Sequence, residues 1–234
     1  MDNQNLIYDD KMDGLRTFYN RIYALVGLGI LTSAAVAFIT IRFFLTNILA
    51  LLSGGTMVIW LLMIGTIVLM FPMQAAASKN SPAAMPLFFV FSAVWGFMLS
   101  ITLLAFTMTD ITLAFGTASG MFFALSAYGR LTKRDLSGMR KALIAGLIGL
   151  LIAMVLNIFI GGTMVQLGIS VIGVLLFSGF IAYDNNKIRQ VYMAMNGQVQ
   201  DGWAVSMALS LYLDFINLFM FLLQIFGGAG GSRK

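Results

Sequence analysis

Long runs without a charged residue alternate with short polar breaks along this chain, and the runs define its elements. Residues 22–41 form the first run, closed by Arg42. About 20 apolar residues in a helix cross a hydrocarbon core of roughly 30 Å, so this run predicts a membrane-spanning helix. The next run, 43–78, is too long for one helix. Gly54-Gly55 divide it, leaving 43–52 as a connecting segment at the interface and 56–73 as a second span with Pro72 near its end. A third helix is predicted at 87–106, after Lys79 and the Pro82/Pro86 loop. A turn at 107–110 leads to a fourth at 111–128. The run 142–183 breaks at Gly161-Gly162 into a fifth helix, 142–160, and a sixth, 164–183. A polar loop at 185–202 precedes the seventh, 204–226.

Composition turns these helices into spans. Of 234 residues, 60% are hydrophobic and only 10% charged, with a mean hydropathy of +0.93. One domain of this size cannot bury so much apolar surface in its own core, so the excess faces lipid. The fold expected is an all-α integral membrane protein of seven transmembrane helices. It comprises a polar N-terminal segment (1–21), a transmembrane domain (22–226) and a short polar tail (227–234). The first 21 residues carry Asp2, Asp9, Asp10 and Asp13 and lack an apolar core, so they are not expected to act as a cleavable signal.

Charge placement predicts orientation. With the N-terminus in the cytoplasm, the inner segments hold Lys11, Arg16, Arg21, Lys79, Arg130, Lys133, Arg134, Arg140, Lys141, Lys187 and Arg189. Only Arg42, Arg233 and Lys234 fall outside, as the positive-inside rule requires of most basic residues. A re-entrant last segment would bring the final two inside as well, but 204–226 is long enough to cross, and seven full crossings are preferred. A sequence pI near 9.6 therefore reflects membrane topology; no nucleic-acid partner is expected.

Absent residue types exclude whole chemistries. The chain has no Cys and no His. Disulfides, thiol catalysis, Cys/His metal sites and Ser–His proteolysis are ruled out. No nucleophile–base pair lies in the spans, so an enzyme is not expected, nor a bound cofactor. All nine acidic residues are Asp. Any proton-linked behaviour must therefore run on aspartates.

Two of these stand out. Asp214 lies in LYLDFINLFMFLLQIF (211–226), about 15 Å into the seventh helix. A carboxylate at such depth is costly and usually faces the protein interior at a functional site. Asp184 closes the sixth helix in GFIAYDNNKIRQ (179–190), where its bland role would be an interfacial pair with Lys187. Asn157, Asn217 and Gln224 need hydrogen-bond partners in lipid, most simply across helices. Gly116/Gly120, Gly96/Ser100 and Gly146 near Gly149 have the spacing of close helix packing.

The segments AYDNNKIR (182–189), LYLDFINLF (211–219) and YGRLTKRDLSGM (128–139) together resemble the Bax inhibitor (transmembrane BAX inhibitor motif) family in its bacterial branch. The resemblance covers the whole hydrophobic region. It implies two three-helix layers around a central C-terminal helix, in a bacterial inner membrane. It also implies a pH-sensitive calcium leak, with calcium ions and protons as its partners and no cofactor. Asp184 and Asp214 would form the gating pair and offer weak oxygen ligands to calcium. Some calcium-leaking bacterial relatives carry a basic residue in the second helix; here no charge lies between Arg42 and Lys79, which leaves Tyr183, Asn157 and Asn217 as the supporting polar candidates.

Two other classes compete. Some bacterial members are associated with a membrane-bound ATP-dependent protease, and residues 1–21 and the 130–141 loop would be the contact surfaces. A small-molecule transporter is the third reading, weakened by the lack of visible internal repeats.

Overall fold

The computed structural model describes residues 3–53 and 56–230, with side chains at 3–11, 51, 52, 56–60, 62, 63, 229 and 230 left aside. Every element among them is helical: α1 (Asn3–Phe43), α2 (Leu45–Ser53), α3 (Thr56–Ser78), α4 (Ala84–Leu103), α5 (Met108–Leu131), α6 (Met139–Ile160), α7 (Thr163–Ala194) and α8 (Asp201–Gly230). Six of these are long and apolar enough to cross a membrane, and α3 contributes a further apolar stretch, Ile64–Ser78. This is the all-α, seven-span architecture, with α2 as the short connecting helix. The predicted break at Gly54-Gly55 lies outside the described residues.

Local chemistry sets the boundaries. Thr107 and Asp110 cap α5 reciprocally: the Asp110 N–H donates to Thr107 Oγ1 at 3.2 Å and the Thr107 N–H donates to Asp110 Oδ2 at 3.2 Å. That box occupies one of the nine aspartates structurally. Gly161 and Gly162, at φ 68° and 116°, turn the chain from α6 into α7 in a region L side chains avoid. Pro72 sits inside α3 without ending it; Met73 and Ala77 beyond it are buried.

The chain divides into two compact units. The first comprises Met1–Ala105 and Met195–Tyr212, the second Phe106–Ala194 and Leu213–Lys234. Each is built on three long helices, α1, α3 and α4 in one and α5, α6 and α7 in the other. The last helix, α8, gives its first part to one unit and its second part to the other. It is also the most buried span, 61% against 11–39% for the other five. Its polar side chains therefore meet protein rather than lipid.

In the first unit α1 and α4 touch backbone to backbone. A Cβ on Gly96 would lie 2.5 Å from the Ser33 carbonyl oxygen, so that approach requires glycine. Ser33 Oγ donates to the Ser92 carbonyl at 2.7 Å and lies 2.7 Å from the hydroxyl of Tyr212, which is fully buried between Phe88 and Phe91. Tyr212→Phe should lower stability by about 1 kcal/mol, since Ser33 Oγ loses a donor but keeps its acceptor. A thermal melt of the detergent-solubilised variant reads this as a fall of a few degrees.

Candidate functional site

The C-terminal half of α7 is where structure and sequence part. The polar run at 185–202 suggested a loop opening directly after Asp184. Instead α7 continues ten residues past Asp184 to Ala194, and the connection to α8 is only 195–200. Ile181, Ala182, Asn185, Ile188 and Tyr192 hold one buried stripe at helical spacing. The asparagines within it find partners on α5 and on the segment after it.

Those partners are specific. Asn185 Nδ2 donates to Ser126 Oγ on α5 at 3.0 Å. Asn186 Nδ2 donates to the Gly129 carbonyl at 3.3 Å, and Asn186 Oδ1 accepts the Leu136 N–H at 3.3 Å. Gln190 Nε2 donates to Asn186 Oδ1 at 2.8 Å and to Asp135 Oδ1 at 2.7 Å. A Cβ on Gly129 would sit 2.2 Å from the Ala182 carbonyl oxygen, so α5 and α7 touch backbone to backbone at this level. The segment 132–138 is thereby bound to Asn186 and Gln190 of α7.

Asp135 is the one titratable member of this network outside the membrane-spanning segments. The Ser137 backbone N–H, followed by the Ser137 hydroxyl, holds its carboxyl below the ordinary carboxylate range. A group with a lowered folded-state pKa lends its stability above the unfolded value, near 4, and loses it as pH falls through the folded one. Asp135 therefore stays ionised from about pH 5 to 8 and cannot sense pH there. Asp135→Asn should leave any pH response in that range unchanged, which a pH titration of the variant's activity checks.

Asp184 and Asp214 come together in the second unit. Both are buried, at 8% and 6% exposure, and their carboxyl groups lie close enough for each to act on the other. No N–H or O–H from any described residue reaches Asp214 Oδ2. Among the described residues no ion pair joins Asp184 to Lys187, and no third carboxylate joins the pair. Aromatic packing fixes α8 beside them: Phe215 meets Phe115 and Phe122 of α5 edge-on at 5.8 and 5.6 Å, and Phe221 stacks on Phe177 of α7 at 5.8 Å.

The three supporting residues are placed elsewhere. Tyr183 packs with Leu136, Leu143 and Ala182, against Leu176 and Phe180. Asn217 Nδ2 donates to the Leu213 carbonyl of its own helix at 2.7 Å. Asn157 Nδ2 donates to Gln166 Oε1 at 2.7 Å, at the opposite end of α7 from Asp184. Gln166 belongs to the polar positions that sequence reasoning missed. It lies in the first turn of α7, where a polar residue reads as interfacial.

Small-residue spacing was a poor guide to contact. Gly96 makes the expected close approach, and a Cβ on Gly146 would meet a Leu176 methyl. At Gly116, Gly120 and Gly149 a Cβ would have no described atom within 4 Å. The tightest approaches are at Gly129 and at Gly202, whose Cβ would lie 1.9 Å from the Ala77 carbonyl oxygen.

Taken together, these features define an all-α polytopic membrane protein with a carboxyl pair held inside its bundle. The family described as "Inhibitor of apoptosis-promoting Bax1" matches residues 15–231, and the chain belongs to it. Similar proteins are bacterial. An uncharacterized protein of Lactococcus lactis is 54% identical over 100% of both chains. An uncharacterized membrane protein of Streptococcus pyogenes serotype M1 is 48% identical over 96% of this chain and 98% of its own. An uncharacterized protein of Deinococcus radiodurans is 34% identical over 95% of this chain and 93% of its own.

Proposed function

We propose that this protein is a pH-sensitive calcium leak of the bacterial inner membrane, with its N-terminus cytoplasmic, closed by a proton shared between Asp184 and Asp214. The observation that carries this reading is the pairing itself: two buried carboxyls close enough to act on each other, with Asp214 Oδ2 offered no donor. Two ionised carboxylates would repel and leave that oxygen buried without a donor. A single proton between them satisfies both groups and ties α7 to α8. Such a pair titrates as a unit. Removing the shared proton, or adding a second, breaks the bridge.

Once separated, the carboxylates offer hard oxygen ligands of the kind calcium takes. Two are far fewer than the six to eight it prefers, so binding is weak and water completes the shell. Weak binding suits passage rather than storage. The basic residue that some calcium-leaking relatives carry in the second helix has no equivalent between Arg42 and Lys79. Closure here accordingly rests on the proton and not on a cation.

Calcium influx into proteoliposomes, followed with a trapped indicator across about pH 5 to 8, tests the reading. The expected result is flux that changes with pH and is absent from protein-free vesicles. Wild-type protein that carries no calcium at any pH would remove the leak and leave a contact function, such as modulation of a membrane-bound protease, in first place.

A further inference from the structure

The contact between α7 and α8 carries an ordered series of residues beyond the aspartates. On α7, Gln166, Ser170, Gly173 and Phe177 precede Asp184 by 18, 14, 11 and 7 positions. At about 100° per residue all four fall within roughly 40° of the Asp184 face. On α8, Phe221 follows Asp214 by 7 positions and Gln224 by 10. The two helices are antiparallel in register. Phe177 meets Phe221 about 10 Å along the axis from the aspartates, and the polar residues lie roughly 15–27 Å along.

Each level has a distinct chemistry. Phe177 and Phe221 stack at 5.8 Å with their planes 28° apart. The Phe221 ring rests on the α7 backbone at Gly173, where a Cβ would come within 2.6 Å of it. Beyond the rings, oxygens gather. Gln224 Oε1 accepts from Ser170 Oγ at 2.9 Å and from Gln166 Nε2. Gln166 Oε1 accepts from Asn157 at 2.7 Å, and Asn157 Oδ1 is buried with no donor. Amides that served only to join helices would leave no acceptor unsatisfied in lipid. Carbonyl and hydroxyl oxygens gathered at one level are also what replaces part of a cation's hydration shell.

We propose that the Phe177–Phe221 stack is a second, apolar gate in series with the aspartate pair, and that Asn157, Gln166, Ser170 and Gln224 form the polar station a hydrated cation reaches on its far side. The proposal rests on the leak reading above. Water and ions leave a narrow aromatic constriction by dewetting, so this gate holds without any titratable group. The two barriers respond to different things: the carboxyl pair to protons, the rings to helix movement.

The absence of cysteine makes a direct test clean, since every introduced thiol is the only one in the chain. Gln224→Cys and Ile181→Cys, the latter fully buried and between Phe177 and Asp184 along α7, are reconstituted and treated from either side with a membrane-impermeant cationic thiol reagent. Gln224→Cys is expected to react from the side on which α8 ends, and Ile181→Cys to be inert from that side. Adding Phe221→Ala, or the milder Phe177→Leu should the first fail to fold, is expected to speed modification of Ile181→Cys by about tenfold or more. An unreactive Gln224→Cys, or an Ile181→Cys unaffected by either ring substitution, overturns the proposal. Protein that carries no calcium yet shows this access pattern keeps the gate and loses only calcium as its cargo.

Discussion

Asp214→Asn is expected to flatten the pH response of calcium flux across about pH 5 to 8, and Asp184→Asn to do the same. An asparagine amide keeps the shape of the carboxyl and donates a hydrogen bond to the remaining carboxylate at every pH. The bridge between α7 and α8 then no longer depends on a shared proton. A hydrogen bond to a charged group contributes about 1.5–3 kcal/mol. Losing it shifts a closed–open equilibrium by roughly 10- to 150-fold, which bounds the pH-dependent change in wild-type flux. Asp214→Ala removes the bridge altogether and should flow at the open level throughout. An Asp214→Asn protein that retains the wild-type profile would sink the shared-proton gate.

The second large effect is on stability. Gly129→Ala should destabilise the protein by at least about 2–3 kcal/mol, and a larger residue should prevent folding. The new Cβ would lie 2.2 Å from the Ala182 carbonyl oxygen and 2.9 Å from Asn185 Cβ. The nearer obstacle is backbone, which has no rotamer to yield, so α5 must move off α7. That movement would also part Asn186 from the Gly129 carbonyl and Asn185 from Ser126, removing the support beside Asp184. Gly116→Ala on the same helix has open space around the new methyl. It should be neutral or stabilising by up to about 1 kcal/mol. Size-exclusion melts of the two variants in detergent separate the cases, and equal behaviour would refute the packing argument.

Gly116 and Gly129 also show what linear spacing can and cannot carry. Gly116/Gly120 has the four-residue spacing of close helix contact, yet a Cβ on either glycine would have no described neighbour within 4 Å. Gly129 has no such partner in sequence and is packed against a carbonyl 53 positions away. Spacing identifies a smooth face on one helix; a contact needs a second helix to come against it.

The spans, the short connecting helix and the interior position of Asp214 were legible from residue order alone, because each follows from the free energy of placing a side chain in hydrocarbon. A charge-free run of about 20 residues prefers lipid whatever lies beside it, and a carboxylate within one is costly wherever the other helices are. The C-terminal end of α7 was not legible. Asp184, Asn185 and Asn186 look like the start of a loop, and they are helical and buried because Ser126, Gly129 and Leu136 supply the hydrogen bonds that water would have supplied. The same holds for the meeting of Asp184 with Asp214 and for the stacking of Phe177 on Phe221. Those contacts depend on the register between two antiparallel helices, which only side chains packed across the interface decide.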